Sequence, residues 1–159
     1  MMTAEDVGLR LRTETDPAMM AGLGGPRPPE DIERAHAKAL ALAAEGRCWP
    51  LKAVPDGSAS AAGWVAVFES SHEGGTVYEI GWMVLPEFQN RGIASQAVRA
   101  VLGRARAGRK FGQIHAFPAV TNTPSNRICE KNGFVNLGEC EQVFAGRTLH
   151  CHHWRIDLF

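Results

Sequence analysis

The segment Gln89-Asn90-Arg91-Gly92-Ile93-Ala94 has the residue types and position of an anion-binding turn. It follows a β-type run that closes at Val84 and opens a helix-type run at Ile93. The first N–H groups of a helix have no intrahelical partner, and the helix dipole adds partial positive charge around them. A pyrophosphate fits such a terminus. Gly92 has no Cβ to hold a phosphate off the backbone, Ala94 is nearly as small, and Arg91 adds a cation. Other phosphate motifs do not apply. A P-loop needs a Gly-Lys-Ser/Thr ending, and a dinucleotide fingerprint needs three glycines in a βαβ unit, whereas only Gly92 stands here. The Gly22-Leu23-Gly24-Gly25 cluster follows helix-like residues and reads as a loop. Taken alone, Arg91-Gly92 reads equally as an ordinary strand-to-helix turn.

A second group of reactive types is His150-Cys151-His152-His153. On a strand His150 and His152 share one face, and Cys151 and His153 the other. Two ligands per face do not close a tetrahedral zinc site without a carboxylate from a neighbouring strand, so no metal is expected. His115 suits either a pocket wall or a satisfied core position. Cys48, Cys129, Cys140 and Cys151 form no CxxC and read as reduced thiols. Trp49, Trp64, Trp82 and Trp154 do not alternate with basic residues as a nucleic-acid surface would.

The bulk properties limit the function classes. Lys+Arg and Asp+Glu are equal at 17 each, so no net positive field exists to hold nucleic acid or an anionic membrane. No apolar run approaches the roughly 20 residues of a membrane span, and the acidic start lacks the order of a signal peptide. A cytoplasmic protein is expected. Its 159 residues, 45% hydrophobic and 21% charged, suit one domain over residues 1–159 with a continuous core.

The elements that must position these residues follow from periodicity and punctuation. Val7, Leu9 and Leu11 alternate, which predicts a first strand over Val7–Arg12. Asp16-Pro17 starts a helix, and Glu30–Glu45, ended by Gly46, forms a second. Leu51–Val54 and Gly63–Phe68 suggest an antiparallel hairpin around Pro55-Asp56-Gly57-Ser58. Ser70–Gly75 is a polar turn, and Thr76–Val84 a longer strand. Ile93–Ala107 is helical, with Ile93, Ala97, Val101 and Ala105 as its stripe. Gln113–Phe117 is a strand, and Thr123 is the expected cap of a short helix with Pro124 at its first position and Gly133 at its end. Val135–Phe144 and Arg147–Asp157 are strands around Ala145-Gly146. The order β-α-α-β-β-β-α-β-α-β-β gives an α/β (α+β) class: a mixed, mostly antiparallel, splayed sheet of about seven strands with about four helices.

With these elements in place the chain resembles the GNAT superfamily of N-acetyltransferases. Gln89, Gly92 and Ala94 match the family's Gln/Arg-x-x-Gly-x-Gly/Ala signature between strand and helix. Asn122, Ser125 and Glu130-Lys131-Asn132-Gly133-Phe134 are similar to its Asn…Ser…Glu-Lys-x-Gly-Phe segment. Glu79-Ile80-Gly81-Trp82 with Pro86-Glu87, and Leu23-Gly24-Gly25-Pro26, resemble the Rim-type branch, which acetylates ribosomal-protein N-termini. The resemblance implies acetyl-CoA as co-substrate. The backbone of Trp82, Met83 and Val84 would meet the pantetheine arm. Asn90, Arg91, Gly92, Ile93, Ala94 and Ser95, after Gln89, would wrap the pyrophosphate. Asn122 would hydrogen-bond the pantetheine region, and Asn126, on the next helical turn, is a further ligand candidate. The acceptor would be a small-molecule amine or a protein N-terminus, and a homodimer is admitted.

Acetyl transfer needs a neutral amine, a stabilised oxyanion and a proton for the leaving thiolate. Glu79, beside the splay, is the expected base, acting directly or through water, with Glu139 and Glu141 as rivals. The oxyanion donor is expected to be the Met83 or Val84 N–H. Many relatives carry a Tyr seven residues after the Asn, where this chain has Cys129, and its one tyrosine, Tyr78, lies elsewhere. Rim-type members often use the Ser of the Asn-x-x-Ser segment, here Ser125, which could alternatively only support helix capping. The missing Tyr also leaves open a non-catalytic acyl-CoA-binding or sensor module with the same fold.

Overall fold

A computed structural model describes residues 1–159. Helix α1 spans Val7–Glu14, α2 Pro17–Met20 and α3 Pro29–Ala44, and strands β1 (Cys48–Ala53), β2 (Gly63–His72) and β3 (Gly75–Val84) follow. Helix α4 (Ile93–Ala107), β4 (Gln113–Ala116), α5 (Thr123–Lys131), β5 (Val135–Phe144) and β6 (Arg147–Asp157) complete the chain. The six strands form one sheet in the order β1-β2-β3-β4-β6-β5. All its pairings are antiparallel except β3 with β4. No helix is long and apolar enough to cross a membrane.

The mixed, mostly antiparallel class stands, with one strand fewer and one helix more than expected. The difference lies at Val7–Arg12, which is helical. The Thr3 N–H and hydroxyl both donate to the Asp6 carboxylate, which fixes a turn just before α1. Arg10 then pairs with Glu14 one turn on. Three alternating apolar residues are too few to separate a period of 2 from one of 3.6. The residues that α1 buries are Thr13 and Glu14, which no apolar pattern would flag.

Other elements are close to expectation. Asp16 caps α2 by accepting the Met19 N–H at 2.9 Å. The stripe of α4 is centred on Val98, Val101, Leu102 and Ala105. Ile93 and Ala97 lie at its margin. These buried residues join Val65, Val67, Ile80 and Ile114 in the core, and each fully buried Val, Ile or Leu contributes about 1.5–3 kcal/mol. The polar turn expected over Ser70–Gly75 shortens to Glu73-Gly74, both at positive φ (48° and 77°). Such a two-residue turn sets the hydrogen-bonding parity of the whole β2–β3 ladder.

One contact at the far end of that ladder has no tolerance. Gly63 pairs with Val84, and a Cβ on Gly63 would lie 2.1 Å from the Met83 carbonyl oxygen and 2.8 Å from the Val84 Cα. Backbone is what it would meet, so no rotamer change relieves it. Gly63→Ala is expected to cost about 1–3 kcal/mol, seen as a lower urea midpoint at unchanged slope. An unaltered midpoint would show that β2 and β3 approach less closely here.

Candidate active site

Strands β3 and β4 meet at a single register pair, Glu79 with His115. Beyond it β4 ends at Ala116 while β3 continues to Val84, so a gap opens between them. In an antiparallel ladder alternate residues bond to the same neighbour. The turn Glu73-Gly74 closes on the His72–Gly75 pair, so the bonded pairs continue through Glu79–Phe68 and Gly81–Ala66 to Met83–Trp64. Trp82 and Val84 therefore turn their backbone groups into the gap. Met83 turns its own toward β2, so of the two expected oxyanion donors only Val84 faces the gap. The Val84 carbonyl is taken by the Gln89 Nε2, which donates to it at 2.9 Å.

The gap leads into a cavity of about 210 Å³. Glu79, Trp82, Met83, Asn122 and Ser125 all line it, with Gln142 and an apolar wall. Glu79 is the sole lining residue with a formal charge. Burial raises its carboxyl above the ordinary range, opposed by Ser70, the charge of His72 and Gln142. Gln142 is itself buried. Its Nε2 donates to the Ser71 carbonyl at 3.0 Å, and its Oε1 lies 3.2 Å from His72 Nδ1. Gln142 thus ties β5 across to β2 beside Glu79. Gln142 and His72 stand outside every motif of the sequence. The available signal was a polar residue between Cys140 and Phe144 on the inward face of a strand.

The start of α5 is the second wall. Asn122, not Thr123, is the N-cap: its Oδ1 accepts the Ser125 N–H at 3.1 Å. This leaves the Asn122 NH2 group outside the cap. Asn126 differs from expectation. Its Nδ2 donates to the carbonyls of Ala119 and Asn122, and its Oδ1 meets His152 Nδ1 and the Trp154 indole N–H. With donors and acceptor engaged inside the protein, Asn126 fastens α5 to β6 rather than offering a ligand contact.

The turn Gln89–Ala94 lies beyond the end of β3. Asn90 and Gly92 have φ of 59° and 75°, and the first helical bond of α4 runs from the Gln96 N–H to the Gly92 carbonyl. The N–H groups of Ile93, Ala94 and Ser95 precede that bond and carry the positive end of the dipole. Arg91 is exposed, its guanidinium 5.5 Å from the Phe88 ring centre. The Ser95 hydroxyl accepts from Asn132 Nδ2 at 3.2 Å, joining the start of α4 to the end of α5. The arrangement suits a diphosphate at the turn, continued by an amide-bearing arm along Trp82 and Val84.

The remaining candidates fall elsewhere. Glu139 accepts from His150 Nε2 at 2.8 Å on the outer face of β5, and Glu141 is exposed; neither lines the cavity. Cys129 is fully buried in the core, and burial pushes its thiol up to about 12. That removes it as an acyl carrier. Cys151 faces Cys140 across β5–β6, and no group of three or more His, Cys, Asp or Glu is arranged to hold a metal ion. His153 instead meets other histidines, with His115 Nδ1 2.8 Å from its Nε2 and the His72 ring centre 4.4 Å away.

Comparison with known proteins follows the same line. Residues 1–135 match the acetyltransferase (GNAT) domain model. A 61-residue stretch is 38% identical to the uncharacterized N-acetyltransferase YnaD of Bacillus subtilis, covering 38% of this chain and 36% of that protein. An acetyltransferase of the GNAT family from Bacillus anthracis superposes with a TM-score of 0.76 at 23% identity, over 99% of this chain and 92% of that one. RimL, a ribosomal L7/L12 N-acetyltransferase solved with coenzyme A, gives 0.78 at 15% identity, over 98% and 90%. The chain belongs to the GNAT family of acetyl-CoA-dependent N-acetyltransferases, and it shares its fold with Rim-type ribosomal-protein acetyltransferases.

The histidine cluster gives this site a measurable pH signature. Burial, with the charges of His72 and His115, lowers His153 from 6.5 to about 4. Between those values the unfolded chain binds more protons than the native state. Stability is therefore full above pH 6.5 and declines as the pH falls toward 4. The wild-type urea midpoint should drop between pH 7 and pH 5, and His153→Gln should reduce that drop. An equal drop in both would move the effect to other groups.

Proposed function

We propose that this protein transfers the acetyl group of acetyl-CoA to a primary amine by direct attack in a ternary complex, with Glu79 as the base. The observation that carries this reading is the convergence on one cavity of its one carboxylate, half-buried, with an unpaired strand edge and a capped helix start. Acetyl-CoA, when bound, supplies the activated acetyl carbonyl. Asn90 to Ser95 hold its pyrophosphate, with Gln89 clasping the turn to Val84. The Trp82 and Val84 backbone and the Asn122 NH2 group hold the pantetheine arm, which the Met83 side of the cavity borders.

An amine enters as a cation and must lose a proton to attack. Glu79, held above the ordinary carboxylate range by burial, is a better proton acceptor than an exposed carboxylate. It takes that proton directly or through one water. The Val84 N–H, which faces the gap, donates toward the developing oxyanion. Ser125, at the start of α5, stands beside the departing thiolate in place of the tyrosine found in many relatives. No side chain needs to carry the acetyl group, since the cysteine nearest this role is sealed in the core.

Two substitutions test separate parts. Glu79→Gln should lower kcat by roughly 10²–10⁴, measured as thiol release with a mixed amine panel. Acetyl-CoA should still raise its Tm. The wild-type acid limb, set by ionisation of Glu79, should vanish from what activity remains. Full activity in this variant would remove Glu79 as the base. Gly92→Val places a β-branched residue at a φ of 75°, which only glycine adopts readily. It should abolish most of the Tm rise given by acetyl-CoA, and an unchanged rise would take the pyrophosphate away from this turn.

A further inference from the structure

The acceptor side of the cavity carries its own charge pattern. Its walls are apolar, made by Leu23, Trp64, Phe68, Phe117, Phe144 and Leu149. Inside, Glu79 is the one counter-charge available to a cationic ligand. Aromatic walls would ordinarily attract further cations through their ring faces. Here two of those rings already hold guanidinium groups. Arg10 lies 5.3 Å from the Trp64 ring centre, and Arg27 lies 5.7 Å from that of Phe144.

Those two arginines share one carboxylate. Glu14 is 1% exposed, and its Oε1 and Oε2 accept from Arg10 Nε at 2.6 Å and Arg27 Nη1 at 2.5 Å. Two cations over one anion leave a surplus positive charge behind the wall. Arg147 adds another. Its side chain lies over Gly24 and Gly25 in the loop that follows cavity-lining Leu23, and Arg147 itself follows cavity-lining Ala145 by two residues. Arg147 takes part in none of the chain's ion pairs. The mouth is therefore cationic around an apolar throat with one carboxylate at its base.

We infer that the acceptor is an amine with a single positive charge attached to an apolar group, and that this rim rejects polycations such as polyamines and aminoglycosides. This rests on the acetyl-transfer reading above. One ammonium group is neutralised at Glu79. A second would sit in the apolar throat or against Arg27 and Arg147, uncompensated in either place. A neutral or acidic flank meets no such opposition. Both an arylalkylamine and a peptide N-terminus with an apolar first residue have this chemistry.

The test separates acceptor choice from turnover. Full-length protein saturated with CoA is titrated with phenethylamine, the tetrapeptide Met-Glu-Ala-Asp, spermidine and kanamycin, and the Tm is followed. In parallel, thiol release is measured with acetyl-CoA and the same four amines. Phenethylamine or the peptide should raise the Tm at concentrations at least about tenfold below spermidine and kanamycin, and the stronger of the two identifies the source. Arg147→Glu should narrow that gap by improving spermidine. Equal or stronger stabilisation by spermidine or kanamycin, or a gap unmoved in Arg147→Glu, overturns the charge filter. Absence of thiol release with the Tm order intact counts against the catalytic reading alone and leaves the acceptor class standing.

Discussion

The rest of the site depends on how briefly β3 and β4 pair. One parallel register point, Glu79 with His115, holds the two halves of the sheet together. Just past it, β3 runs on while β4 stops at Ala116. Backbone groups on an interior strand cannot ordinarily be left without partners. Here the pairing parity turns those of Trp82 and Val84 into an open gap. A ligand with amide groups can complete the ladder that β4 abandons, which is strand addition with a small molecule in place of a peptide. The same divergence opens the cavity and leaves Glu79 at its edge.

Several interactions keep that gap open in a defined shape. Gln89 fastens the turn before α4 to the last carbonyl of β3, which ties turn and strand edge together. Asn126 fixes α5 against β6 through His152 and Trp154, its Nδ2 holds the Ala119 and Asn122 carbonyls, and Asn122 caps the same helix. Gln142 draws β5 over to β2. Each is an amide side chain with both donor and acceptor capacity, placed where two elements would otherwise leave backbone or ring polar atoms unmet.

Electrostatics gives two carboxylates different uses, one fully buried and one half-buried. Glu14 is held between two guanidinium groups and serves the architecture of the N-terminal helices. Glu79 has no cation bonded to it, and burial leaves it disposed to take a proton. Cys129 illustrates a parallel contrast for thiols: the same burial that suits it to the core removes its nucleophilic form.

The sequence by itself determined the elements with strong periodicity and clear punctuation. Ile93–Ala107, Val135–Phe144 and Arg147–Asp157 have the bounds their patterns imply, because helix stripes and strand alternation are local consequences of burying one face. It also placed a strand-to-helix turn at Gln89–Ala94, where Gly92 takes the positive φ that the start of α4 requires. Tertiary structure decided what depends on partners distant in the chain. Val7–Arg12 became a helix because a polar turn at Thr3–Asp6 and the buried Glu14 outweighed three alternating apolar residues. Asn126 became a fastener because Trp154 and His152 stand within reach. Glu79 prevailed in position over Glu139 and Glu141 because only the folded sheet shows which carboxylate faces inward. Local pattern records which face a residue shares with its chain neighbours; the distance to a partner across the sheet is set only when the strands pair.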